Sequence, residues 1–269
     1  MAAEYEVVHV ATAPPAVLDE ELLKAVAAIV NKSLYETRLR LAGKIPKIIA
    51  NYDTMLKAES ASKSLKGLGL VVIVFSDSEL RKSSQIFKAH SLKFEEPAII
   101  FCTRGGQVRR MEASEAFLIL SARMQAYTET EVITKVRKLN VTATLLTGGI
   151  PITKKVEKKT TKTSYQTESF VRLYGRVSME SVVEILQHDF DYSFLGVEMA
   201  SSAVANFGIA IRKIREAFPQ AIFDDRLIEP LKANVPAATA QDTIEDNCKL
   251  IYWYHQAVSG LGSSVQPQI

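Results

Sequence analysis

Hydrophobic positions along the first third of the chain change period several times, and each change predicts an element. Tyr5-Glu6-Val7-Val8-His9-Val10 is short, rich in β-formers and followed by Pro14-Pro15, which predicts a strand. Asp19-Glu20-Glu21 then precede Leu22, Leu23, Val26, Ile29 and Val30. Acid in the first turn with apolar residues at helical spacing predicts a helix over 19–31. Ser33 with Glu36 three residues on predicts a capped second helix through Leu39 and Leu41, stopped at Gly43. A Pro46-containing extended piece follows over 45–50. Asp53-Thr54 to Leu68 reads as a third helix, with Met55, Ala58, Ala61 and Leu65 on one stripe and Gly67 and Gly69 closing it. The β-branched run Leu70-Val71-Val72-Ile73-Val74-Phe75 predicts a buried strand.

The order β-α-α-β-α-β, with Ala58-Glu59, Leu65, Gly69, Val72 and Val74 in sequence, resembles the C-terminal domain of the bacterial ribosomal stalk protein and the related Clp protease adaptor fold. The Lys24-Ala25-Val26 helix and the Pro46 piece belong to the same resemblance, which covers residues 1–76. It implies a helix-faced sheet used to bind proteins. The stalk domain recruits translation GTPases through a basic, glycine-containing helical face. Here the equivalent turn, Asn31-Lys32-Ser33-Leu34, has no glycine, and the Asn-Asp-Asp start that marks the adaptor's acidic pocket is absent.

From Asp77 to Glu96 the chain is polar and reads as a linker, with one short strand over 87–94. Ala98–Cys102 and Val108–Met111 flank Gly105-Gly106 and predict a hairpin. Further strands are expected at Phe117–Leu120, Met124–Tyr127, Ala143–Leu146, Ser169–Tyr174 and Val182–Leu186, while Glu131–Leu139 fits strand or helix. Met199, Ala203, Phe207, Ile211 and Ile214 then recur at three or four residues, a helix over 198–217 stopped by Pro219. About six strands closed by one long helix resemble a pleckstrin-homology-like barrel in topology over residues 97–228. A Pro/Ala linker (229–241), a docking helix (242–258) and a tail (259–269) complete the expected organisation. The expected fold class is therefore α+β, an N-terminal β-α-α-β-α-β sandwich before a mostly β, barrel-like domain with its helix.

Composition narrows this picture only modestly. The chain has 269 residues, 47% of them hydrophobic, and a formal net charge of +3, so two buried cores are expected and wholesale disorder is not. No apolar run is long enough to span a membrane, and Met1-Ala2-Ala3-Glu4-Tyr5-Glu6 carries neither the basic nor the apolar part of a secretory leader. Two cysteines, Cys102 and Cys248, form neither a disulfide framework nor a zinc ribbon, and a cytoplasmic location is expected. One run concentrates charge: Lys154-Lys155-Val156-Glu157-Lys158-Lys159-Thr160-Thr161-Lys162, placed after Gly148-Gly149 and Pro151 where a loop or hairpin tip is expected.

Sites for chemistry are sparse. Gly67-Leu68-Gly69 precedes a strand instead of following one, and Gly148-Gly149 lacks the Gly-Lys-Ser/Thr ending of a phosphate loop. His188-Asp189-Phe190-Asp191 and Asp224-Asp225 are the one set from which a metal-dependent site could be assembled, provided that they converge. Trp253, flanked by Tyr252 and Tyr254, cannot share one helix face with both, so an exposed ring is expected there. The function expected from these residues is that of a non-enzymatic, cofactor-free adaptor binding another protein, with self-association left open. Its alternative is binding of an anion, lipid headgroup or nucleic acid through Lys154, Lys155, Lys158 and Lys159 with Arg109 or Arg110. Trp253 and Tyr254 are the candidate protein-contact residues.

Overall fold

The computed structural model describes residues 6–139, 153–177, 179, 182–229 and 237–260, with side chains placed at all of these except 125–139, 153–166 and 237–242. The expected strand at Ala143–Leu146 and the Gly148-Gly149 turn lie outside the described residues, as do most of the tail and of the Pro/Ala linker.

The first module follows the expected order: β1 (Val8–Thr12), α1 (Glu20–Val30), α2 (Leu34–Leu41), β2 (Lys47–Tyr52), α3 (Met55–Gly67) and β3 (Val72–Ser76). Caps fix the helix starts. Asp19 accepts from the Leu22 amide at 2.7 Å, and Ser33 and Glu36 close a capping box. Asn31 in the left-handed region ends α1, which accounts for the tight turn into α2 without a glycine. β1 is the central strand of an antiparallel sheet in the order β2-β1-β3. Every residue of β1 is buried, because both faces of this sheet are covered. Val8 and Val10 face Leu23, Val26 and Leu65 of the helices. Ala11, with Ile73 and Phe75 of β3, faces Leu80 and, from far along the chain, Leu250 and Trp253.

The segment expected to be a linker is structured. It holds α4 (Asp77–Arg81), β4 (Ile86–Ala89) and β5 (Ser91–Glu95), their starts marked by the Ser76–Glu79 capping box. β5, β6 (Ala98–Cys102) and β7 (Val108–Glu112) form an antiparallel three-stranded meander. The polar serines and Lys/Arg of 76–93 hide this order because they belong to caps and to outward strand positions, not to a flexible spacer.

Two long strands dominate the rest. β8 runs Ala116–Leu139 and β9 Thr153–Gly175, paired antiparallel from Ala116↔Gly175 to Leu139↔Thr153. The undecided segment 131–139 is strand, and the lysine run expected at a loop tip lies inside β9. With β10 (Val182–Leu186) and β11 (Ile222–Leu227) they build a five-stranded sheet in the order β11-β8-β9-β10-β4. The β10/β4 and β11/β8 pairs are parallel. The α+β class holds, but the barrel-like closure does not. Among the described residues the two sheets remain open, with β11 and β4, and β5 and β7, as edges. Parallel pairs at both ends require crossovers, which a string of hairpins closing on itself lacks.

Alternation along β8 and β9 explains how this sheet buries two faces. Ile119, Val171 and Leu173 meet the meander and α5 (Ala203–Ala217), through Phe101, Phe207 and Ile214. Leu118, Leu120, Phe170 and Tyr174 meet α6 (Ala237–Val258), through Cys248, Ile251 and Tyr252. Helix α6 therefore closes the second face of both sheets: Ile251 and Tyr252 on β8 and β9, Leu250 and Trp253 on β1 and β3. The expectation of two independent cores changes accordingly. There are two sheets with distinct cores, and one helix serves them both.

Candidate functional site

The residues singled out from the sequence fall in four places. Arg109 and Arg110, adjacent on β7, point to opposite faces of the meander. Arg110 is exposed, with Nε 2.7 Å from Glu112 Oε1 and a second carboxylate, Glu95, at 3.5 Å, so its charge is matched locally. Arg109 is half-buried, its guanidinium carbon 4.9 Å from the centre of the Phe87 ring. Its Nη1 donates a long 3.4 Å bond to the Val182 carbonyl.

Trp253 and Tyr254 are docking residues rather than an exposed contact. Trp253 stacks on Phe75 at 4.7 Å, and Tyr254 lies half-buried beneath the Arg226 guanidinium at 5.0 Å. Tyr252 is buried, edge-on to Phe117 at 5.8 Å. The third ring faces the first module, a surface that local periodicity cannot reveal.

The carboxylates and histidines do not converge. His188 lies with Nε2 3.2 Å from the Gln187 amide nitrogen, and Asp189 pairs with Arg104. Asp191 accepts from the Ser193 amide and hydroxyl, both at 2.9 Å. Asp224 sits elsewhere, buried on β11, where it accepts from His255 Nε2 at 2.7 Å and from Arg226 Nε at 2.9 Å. Burial alone would raise the Asp224 carboxyl, but these hydrogen bonds hold it well below the usual carboxylate range. Asp225 is exposed. Among the described residues no group of three or more His, Cys, Asp or Glu is placed to hold a metal ion. Burial pushes the Cys248 thiol up to about 12, and Cys102 is partly exposed on β6.

Lys154, Lys155, Lys158 and Lys159 gain neighbours that the sequence alone did not supply. Register pairs position 154 with Lys138, 155 with Arg137 and 157 with Lys135. Beyond Met124 and Glu168 neither β8 nor β9 pairs with another strand among the described residues, which leaves a two-stranded ribbon about 45–50 Å long. Over 125–139 and 153–166 it carries eight Lys or Arg against three Glu, whereas the whole chain has an excess of only three. The period of two separates the positions further. On one face lie 130, 132, 134, 136 and 138 with 154, 156, 158, 160 and 162, which hold four lysines and no carboxylate. The other face carries Glu131 and Glu157 among its cations.

Two further features were not foreseen. One is a cleft of about 690 Å³ between β4 and the β6–β7 turn, lined by Phe87, Lys88, His90, Arg104, Arg109 and Asp189 among others. The other is a buried ion cluster at the contact of α6 with the large sheet. Arg172 on β9 donates from Nε to Glu184 of β10 at 2.8 Å and from Nη1 to Glu245 of α6 at 2.7 Å. Its side chain is 3% exposed, and Glu184 only 7%. Burial would lower the Arg172 pKa, yet hydrogen bonding to Glu245 more than offsets it, and the guanidinium stays charged. Nearby, Lys249 donates to the Leu80 carbonyl and, at 2.7 Å, to that of Lys82, tying α6 to the first module.

No family model, no curated protein and no solved structure matches this chain. None of the helices over the described residues is long and apolar enough to cross a membrane.

Proposed function

We propose that the protein is a non-enzymatic nucleic-acid-binding protein whose contact element is the β8–β9 ribbon. The observation that carries this reading is the concentration of eight cations on a ribbon of two paired strands, one of whose faces has no carboxylate. A duplex presents one phosphate charge per about 1.7 Å, and its major groove admits a two-stranded β-ribbon. Positions 154, 158 and 162 repeat every four residues and span about 27 Å along β9, a length over which several phosphates are met. The intervening positions on that face are threonines and valines, so the apolar area that would favour a lipid surface over a polyanion is small. Two unpaired cysteines accord with a reducing, cytoplasmic setting.

Binding of a labelled DNA duplex of about 20 base pairs, followed by fluorescence polarisation across salt concentrations, tests the reading. Affinity is expected to fall steeply with salt. The variant K154Q/K155Q/K158Q/K159Q is expected to bind more weakly and to flatten the log–log salt slope by about 3–4, near 0.9 for each lost phosphate contact. Equal binding by the variant, or a preference for phosphatidylserine vesicles over DNA, would overturn it.

A further inference from the structure

We infer that the cleft along β4 is a docking site for an extended acidic segment of another protein, which adds as a strand to the free edge of the five-stranded sheet. This goes beyond nucleic-acid binding and rests on different residues.

β4 is an edge strand, paired with β10 on one side and with no strand on the other among the described residues. A cavity lying on one face of a strand touches alternate residues, since successive side chains point in opposite directions. Here Gln85, Ile86, Phe87 and Lys88 all line the cleft consecutively. The cavity thus runs along the backbone edge, where unpaired amide and carbonyl groups are available to an added strand.

The opposite wall is the turn from Thr103 to Gln107 together with Arg109. That turn is fixed by its own hydrogen bonds. Thr103 donates to the Gln107 carbonyl at 2.9 Å, and its Oγ1 accepts from the Gln107 amide at 3.1 Å. Gly106, at φ +78°, supplies the left-handed residue that the turn requires. Phe87 underlies Arg109 and holds the guanidinium toward the cleft. His90 Nδ1 donates to the Asp189 carbonyl at 2.8 Å, which braces the floor.

Charge selects the occupant. Lys88, Arg104 and Arg109 face one carboxylate, Asp189, and that carboxylate is already paired with Arg104. Lys88 is exposed and makes no ion pair among the described residues. The cleft therefore presents a positive excess beside an unpaired strand edge, and its volume lies within the range of about 300–1,000 Å³ typical of ligand sites. A segment with carboxylates at alternate positions satisfies both features. Backbone bonds to β4 hold it, and acidic side chains reach Lys88 and Arg109 across the cleft.

The test uses the whole chain and a fluorescein-labelled peptide of alternating glutamate and valine, about eight residues long, which is enough to run the length of β4. Saturable binding is expected, weakened at least about tenfold in K88Q/R109Q. Should R109Q alter the unfolding midpoint, K88Q and R104Q are read in its place. N-methylation of alternate peptide amides removes strand donors without changing charge, and is expected to weaken binding by a similar factor. The quadruple ribbon variant K154Q/K155Q/K158Q/K159Q is expected to bind the peptide unchanged, so failure here is distinct from failure at the ribbon. Absence of binding at millimolar peptide, undiminished binding of the N-methylated peptide, or displacement by an equal concentration of inorganic phosphate would each overturn the inference.

Discussion

Replacing Arg172 by methionine isolates the energetics of the contact that holds α6 to the large sheet. The substitution keeps the length of the side chain and its place beside Phe170, whose ring lies 5.0 Å from the guanidinium carbon, but removes the only cation shown between Glu184 and Glu245. Glu184 is left in the interior at 7% exposure with no partner for its charge, and Glu245 at 22% is held against it. Breaking one member of such a buried set costs about 3–5 kcal/mol, a large share of the roughly 5–15 kcal/mol that stabilises a folded chain. For a protein of this size that corresponds to a fall in Tm of about 6–20 °C. The same physics makes the triple replacement R172M/E184L/E245L mild, because three desolvated charges leave together. It is expected to lie within about 1–2 kcal/mol of the parent or above it. Urea unfolding followed by far-ultraviolet circular dichroism gives both values. A loss below about 1 kcal/mol for R172M would refute the argument, as would a triple variant no more stable than the single one.

Thiol and proton titrations probe other parts of the same packing. With a thiol reagent at pH 8, Cys102 is expected to react in the native protein. Cys248, buried and pushed up to about 12, should react only as fast as the chain opens, so two rapid equivalents without denaturant would contradict its placement. Because the folded state depresses Asp224 below its ordinary 3.8, its stabilising contribution is complete above about pH 5 and is lost as the pH falls through the acid range. The gap in urea midpoint between the parent and D224N should therefore narrow from pH 6 to pH 3, and a gap independent of pH would remove the His255–Asp224–Arg226 contact from the account.

Local patterning carried the first module almost completely. Asp19, Ser33 and Thr54 each sit where a cap was expected, and each accepts from an amide of the first turn. Elements whose stability comes from distant partners were harder to read. β4 and β5 alternate too briefly, and among too many serines and lysines, to stand out from a linker; they are ordered by pairing with β10, almost a hundred residues later, and with β6. The lysine run was visible, but its neighbours Lys135, Arg137 and Lys138 belong to the site only through register. The buried ion cluster left one legible trace: Arg172 inside Phe170-Val171-Arg172-Leu173-Tyr174 and Glu184 inside Val182-Val183-Glu184-Ile185 are single charges of opposite sign within apolar strands. Two such charges on consecutive strands are a signal of pairing across a sheet.

Helix α6 follows both sheets in the chain and yet seals one side of each, through Leu250 and Trp253 on one and Ile251 and Tyr252 on the other. During synthesis, everything up to Glu229 emerges with two half-bare β-surfaces, and neither is finished until the last long helix clears the ribosome. A chain halted before that point would display two sticky faces at once, which makes its nascent form a natural client for chaperones.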